Sequence, residues 1–319
     1  MKRFLICLSA ALLLLTGCSA PQPLRRSTVA MDTAVTVTLY DSADPSLIDG
    51  CFEMLKGYEA LFSRTDPKSE IGRLNAAGGE EVPLSPETRE LLAFGKEWGA
   101  RTGGALDITV APASSLWRFP DPVLPDEAAL AEAAARVDWQ ALVLTDSGAR
   151  LPAGHGVDLG AVAKGWASDR LADYLRKQGV SSALLDLGGN VYALGDKGGD
   201  PFTVGIRDPF DTDSLTAVVR VKDRAVVTSG VYERGFALEG TTYHHILDPA
   251  TGWPVQNGLV SVTVLCPRAA DADALSTGCF VLGLEKGMAL IRDLPDTEAL
   301  FITADGELHP SPGLVFEKR

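Results

Sequence analysis

The sequence predicts a mixed α/β (α+β) body with a largely antiparallel sheet and packed helices. Two observations carry this expectation. Apolar residues recur at helical spacing through much of the first half, whereas short runs rich in Val, Leu and Thr dominate from Ala183 onward. Helices first and strands later suit a layered arrangement in which the sheet is mainly antiparallel. The chain has 319 residues, 46% hydrophobic and 22% charged, which suffices for one large domain or two lobes sharing a cleft without metal or disulfide staples.

The N-terminal stretch "MKRFLICLSAALLLLTGCSA" has a basic start and an apolar run from Phe4 to Leu15, too short to span a bilayer comfortably, then Leu15-Thr16-Gly17-Cys18. It resembles the bacterial lipoprotein signal. Residues 1–17 are expected to be the leader, 18–28 a flexible tether with lipidated Cys18, and 29–319 the folded domain. Such a protein would be held by its lipid on the extracytoplasmic face of a bacterial membrane, periplasmic or at the cell surface.

Within the domain, "VTVTLY" (35–40) alternates as a half-buried strand does. Asp44-Pro45 and Ser85-Pro86 supply cap and first-turn proline for two helices, the second ending near Gly103-Gly104. "ALDITV" (105–110) reads as a strand, and "DEAALAEAAARV" as a surface helix capped by Asp126. Ala163, Trp166, Ala167, Leu171, Tyr174 and Leu175 form the stripe of an amphipathic helix. The strand-like runs "ALLDLG", "FTVGI", "TAVVRV", "AVVTS", "GFALEG" and "LVSVTVLC" follow, and a last helix opens at "DADALSTGCFVLG". Cys51, Cys266 and Cys279 remain once the leader and lipid are discounted. With no CxxC or His-rich spacing, zinc is not expected. A Cys266–Cys279 bridge is one option, and buried free thiols are the preferred one. The net charge of −13 argues against nucleic acid as a partner.

Three stretches carry chemistry. In "DADALSTG", Asp273 and Thr277 are i and i+4 with Ser276 beside them, a set of hard oxygens on one helix face. The spacing alone also fits an acidic helix start with small packing residues. In "VDLGAVAKG", Asp158, Gly160-Ala161 and Lys164 gather at a helix N-terminus, suited to phosphate, although GxxxxGK[ST] is absent and an ordinary turn with an exposed lysine fits as well. In "HHILDPATG", His244, His245 and Asp248 are candidates for acid–base or metal work. Adjacent strand residues face opposite ways, so at most one histidine belongs to a site.

Taken together, "MDTAVTV", "FSRTDPKSEIGRLN", "GGALDITVAP", "VDLGAVAKGWASD", "LLDLGGN", "VGIRDP", "VTSGVYER", "HHILDPATGWPV" and "DADALSTGCFVLG" closely resemble, in order, the FAD:protein FMN transferase family, ApbE, from about Val29 to Ile302. The resemblance implies an ApbE-type, T-fold-related body with FAD and Mg²⁺ in a central cleft. It implies transfer of FMN from FAD to a Ser or Thr hydroxyl of an acceptor protein, with release of AMP. Asp273, Thr277, Ser276 and the Ala161 carbonyl are then the expected Mg²⁺ surroundings. Met31, Ala105, Leu106, Asp107, Asp158, Lys164 and His245 are the expected FAD contacts. Asp32 stands where the family has glycine, and Leu106 where it has phenylalanine. His245, oriented by Asp248, is the candidate base, and Lys164 shares the developing charge. The implied acceptor is a membrane redox subunit, modified in trans, with a Ser/Thr-Gly-Ala-Thr-like motif. An FAD pyrophosphatase giving FMN and AMP and a non-catalytic flavin-binding lipoprotein are the competing readings.

Overall fold

The computed structural model describes residues 22–319, so the expected leader and Cys18 lie outside the described residues. It opens with a hairpin of β1 (Leu24–Ala30) and β2 (Thr33–Leu39), paired antiparallel along their whole length. Residues 24–28, inside the stretch expected to be tether, are therefore part of a paired strand. "LRRST" reads as linker because it is polar, but polar and charged residues are what an exposed edge strand carries.

Helix α1 (Pro45–Phe62) follows, its start capped by the Asp44 side chain, then α2 (Glu70–Ala76), the short strand β3 (Val82–Pro83) and α3 (Pro86–Arg101), capped by Ser85. Ala105–Val110 is not a strand. The Asp107 carboxylate accepts from Thr109 N and Oγ1 (2.7 and 2.6 Å) and from Trp139 N (2.9 Å), and Thr102 Oγ1 accepts from Leu106 N (3.0 Å). With its backbone satisfied by side chains, the segment turns, and only Val110 bridges to Gly156. The one-turn α4 (Ala111–Ser114) and α5 (Glu127–Ala134), capped by Asp126, come next. Strands β4 (Val143–Leu144) and β5 (Gly148–Arg150) make a small sheet with β3.

The second half begins with α6 (Ala163–Lys177), β6 (Ala183–Leu187), β7 (Asn190–Leu194), β8 (Phe202–Arg207), β9 (Leu215–Val221) and β10 (Arg224–Gly230). The hairpin β11 (Gly235–Leu238) and β12 (Thr241–His244) leads to β13 (Leu259–Cys266), α7 (Ala269–Arg292), β14 (Glu298–Thr303), β15 (Leu308–Pro310) and β16 (Glu317–Lys318). The main sheet has eight strands in the order β1-β2-β6-β7-β10-β13-β14-β15, antiparallel at every step. Alternate residues serve two cores. Val227, Val264 and Phe301 face α1, α6 and α7, while Val226, Leu265 and Leu300 face the small sheet β16-β9-β8. Burial on both faces explains why "LVSVTVLC" is apolar without clean alternation. Cys51, Cys266 and Cys279 are buried free thiols.

The junction of α6 and α7 positions the site. The α7 start has no side-chain cap of its own; Asp169 of α6 supplies one, accepting from Ala269 N (2.8 Å) and Ala270 N (3.1 Å). In return, Asp273 Oδ2 of α7 accepts from Gly165 N of α6 (2.8 Å). Gly165 has to be glycine here, because a β-carbon would strike the Ala269 carbonyl and lie 2.7 Å from Asp273 Cβ. Further along, α7 kinks at Gly283 (φ 80°), and Asn257 Nδ2 donates to Phe280 O (2.7 Å), supplying a donor beside the break.

Replacing Gly165 by alanine should push the two helices apart and lower unfolding free energy by about 1–3 kcal/mol. Urea denaturation checks this, and an unchanged midpoint would show that the helix contact is not close enough to matter.

Candidate active site

Where α6 begins beside the first turns of α7, a cleft of about 160 Å³ opens, walled also by the Ala105–Asp107 turn, by β10 and by the segment around His245. One wall is the loop entering α6. Asp158 Oδ1 accepts from Gly160 N (3.0 Å), while Oδ2 accepts from Ser114 Oγ (3.1 Å) and pairs with Arg64 Nε (3.0 Å). Its carboxylate thus holds the loop in shape. A β-carbon on Gly160 would meet only Asp158 Oδ1, at 3.2 Å, so a ligand can approach this backbone. Lys164 Nζ donates to Gly160 O (3.1 Å) and stands 3.9 Å from Asp273 Oδ1.

Asp273 is only 4% exposed, with one oxygen engaged by Gly165 and the other turned to Lys164. One turn later, Thr277 Oγ1 lies 3.2 Å from Ser229 Oγ of β10. Ser276 is fully buried and off the cleft wall: its hydroxyl bonds Asp273 O (2.9 Å) and Ser229 Oγ (2.9 Å). It therefore braces Ser229, which lines the cleft together with Ala161 and Thr277. A carboxylate, a hydroxyl and the Ala161 backbone form a hard-oxygen donor set that fits Mg²⁺. Among the described residues no cluster of three His, Cys, Asp or Glu offers a softer alternative.

The two histidines divide as strand geometry requires. His244 is buried against Phe280, its Nε2 at 2.9 Å from Val255 O, while His245 faces the cleft. Asp248 does not orient it. Asp248 Oδ1 accepts from Ala250 N (2.9 Å) and builds the Pro249–Gly252 turn, as Asx side chains before proline commonly do. The acid that faces His245 is Glu233, with Oε2 4.0 Å from Nε2. Burial pushes the His245 imidazole down to about 4. Burial also pushes Glu233 up to about 7; Lys164 opposes that rise and Asp273 adds to it.

Ala105, Leu106 and Asp107 all line the cleft, but both Asp107 oxygens are held by its own turn and by Trp139. Met31 is not on the wall. It occupies the two-residue β1–β2 turn with Asp32, both at positive φ (52° and 58°), and Arg234 Nη2 donates to Asp32 O (3.2 Å), tying that turn to the Glu233 segment. Asn190 does line the cleft, and its fully buried amide has no hydrogen-bond partner among the described residues. Sequence reasoning passed over Ser229, Glu233, Asn190 and Arg64, although all four sit inside the quoted stretches "VTSGVYER", "LLDLGGN" and "FSRTDPKSE".

A lysine and a hard-oxygen set gathered at a helix start have the chemistry to hold a divalent cation and phosphate oxygens. The ApbE family model matches residues 31–301, and the chain belongs to that family. It is 40% identical over 290 residues to the FAD:protein FMN transferase of Treponema pallidum, covering 84% of this chain and 80% of that one. An FAD:protein FMN transferase of Klebsiella pneumoniae is 36% identical over 289 residues, covering 88% and 90%. Among solved structures, the ApbE protein of Thermotoga maritima superposes with a TM-score of 0.84 at 30% identity, over 91% of this chain and 97% of the other. The flavin transferase ApbE of Vibrio cholerae gives 0.83 at 29%, over the same shares.

Proposed function

We propose that this protein transfers FMN from FAD to a Ser or Thr hydroxyl of an acceptor protein, releasing AMP, with Mg²⁺ required. The observation that carries the reading is the convergence of Lys164, Asp273, Thr277 and Ala161 on one cleft at the start of α6. Family membership, and relatives named FAD:protein FMN transferase on both criteria of sequence and length, support the same reaction.

Asp273, Thr277 and the Ala161 carbonyl would hold Mg²⁺, which when bound neutralises pyrophosphate charge. Lys164 and the α6 N-terminus take up the remaining negative charge as it shifts toward the leaving phosphate. His245 accepts the acceptor's hydroxyl proton. The freed oxygen forms a bond to the FMN phosphorus, and the bond from that phosphorus to the bridging oxygen breaks, its electron pair leaving with AMP. Leu106 and Val281, on the same walls, supply apolar surface for a ring. The acceptor of this reading is a membrane redox subunit with a Ser/Thr-Gly-Ala-Thr-like motif, met at the extracytoplasmic face where Cys18 would anchor the enzyme.

Lipid-free protein incubated with FAD and Mg²⁺ separates the readings. AMP together with an FMN-labelled acceptor supports transfer, AMP with free FMN alone shows a pyrophosphatase, and no AMP shows binding only. Against Mg²⁺ concentration, Thr277→Ala should be rescued in part by excess metal, and Asp273→Ala little, because it loses the one anionic ligand. Metal curves like those of wild type in both variants would remove these residues from the metal. Cys18→Ser should leave soluble activity intact and move the protein out of the membrane fraction. A variant that still pellets with membranes would contradict the lipid anchor.

A further inference from the structure

We infer that Glu233 is the positioning residue of His245: the two form one proton-holding pair, and Glu233 stabilises the imidazolium that arises when an acceptor hydroxyl gives up its proton. This rests on the transfer reaction proposed above for its direction, but the pair itself is a property of the resting protein. The Arg234 carbonyl accepts from His245 N (3.0 Å) and lies 3.3 Å from His245 Nδ1. A carbonyl has no proton to give, so Nδ1 carries the hydrogen and Nε2 keeps its lone pair. That lone pair faces the cleft and Glu233 Oε2, 4.0 Å away, close enough for a charge on one group to be felt by the other and too far for a direct hydrogen bond.

The surroundings make the pair selective about where a proton rests. Glu233 feels Lys164 from α6, Asp273 from α7, Arg207 from the end of β8 and Arg234 beside it. His245 feels His244, Lys164 and Arg234, all of which disfavour a second cation. An imidazolium formed there alone would be costly; beside a carboxylate the cost is offset. Above about pH 7 Glu233 is ionised and His245 neutral, which is the form ready to take a proton. In the step, the hydroxyl O–H bond breaks and the proton bonds to Nε2. The oxygen bonds to the FMN phosphorus, and AMP departs with the electron pair of the broken P–O bond. Glu233 neither gains nor loses a bond. Asp248, the carboxylate that proximity in sequence suggests, is bound into its own turn and does not compete.

Two measurements test this. In lipid-free protein without FAD or Mg²⁺, the His245 ring resonances followed by NMR should show a step near pH 7. Glu233→Gln should abolish that step; superimposable His245 titrations in wild type and Glu233→Gln would overturn the pair. In AMP release with FAD, Mg²⁺ and a peptide carrying Ser-Gly-Ala-Thr, Glu233→Gln should lower kcat about tenfold or more with the KM for FAD nearly unchanged. The fall of kcat below pH 7 should vanish, and Glu233→Asp should recover part of the rate. A raised KM for FAD with normal kcat would make Glu233 a nucleotide contact and overturn the inference. Should wild type fail to label the peptide, it is the acceptor reading that fails, and the NMR comparison still decides the pair.

Discussion

The cleft depends on how closely two helices approach. Asp273 can reach the Gly165 amide only because position 165 has no side chain, and α7 can begin beside α6 only because Asp169 receives its first two amides. Each helix caps the other. The reciprocity fixes a carboxylate at 4% exposure with one oxygen tied and one left toward Lys164, an arrangement that burial would make expensive without the amide and the cation. Everything else on the walls is built outward from that point: Thr277 one turn on, Ser229 braced from behind by Ser276, and the Asp158 loop held by Arg64 and Ser114.

A chain with a net charge of −13 thereby gathers fixed cationic groups at one cleft. Lys164 lies inside the cleft, with Arg64 behind the Asp158 loop and Arg234 holding the Asp32 carbonyl. Arg64 and Lys164 each have an acidic neighbour, so the cationic character is fixed in place and directed. The acids that face the cleft are held differently. Asp273 is held by an amide and a lysine, whereas burial lifts Glu233 toward neutrality.

Much of this was legible in the sequence where the signal was local. The capped helices at Asp44 and Ser85, the stripe of α6, the alternating strands after Ala183 and the placement of Asp273 and Thr277 on one helix face all follow from spacing and caps. Errors arose where side chains or distant strands decide. Asp107 satisfies its own neighbours, so "ALDITV" turns although its composition is that of a strand. The "RRST" run is polar because it lies at an edge, and its pairing with β2 is a tertiary fact. Asp248 stands three residues from His245 along the chain, yet the segment leaving β10 delivers Glu233 to it. Ser276, expected beside the hard-oxygen set, is turned inward by the helix toward Ser229 of β10, a direction that depends on which strand lies beneath. Met31, expected at the nucleotide from the family likeness, occupies the β1–β2 hairpin turn with Asp32.

In the proposed reaction the α6–α7 junction holds the FAD pyrophosphate and its metal. A crystal structure of the lipid-free protein with FAD and Mg²⁺ tests it most directly. The metal should sit on Asp273, Thr277 and the Ala161 carbonyl, with the pyrophosphate between it and Lys164. A pyrophosphate seated elsewhere in the cleft, with Asp273 still bonded only to Gly165 and Lys164, would contradict it.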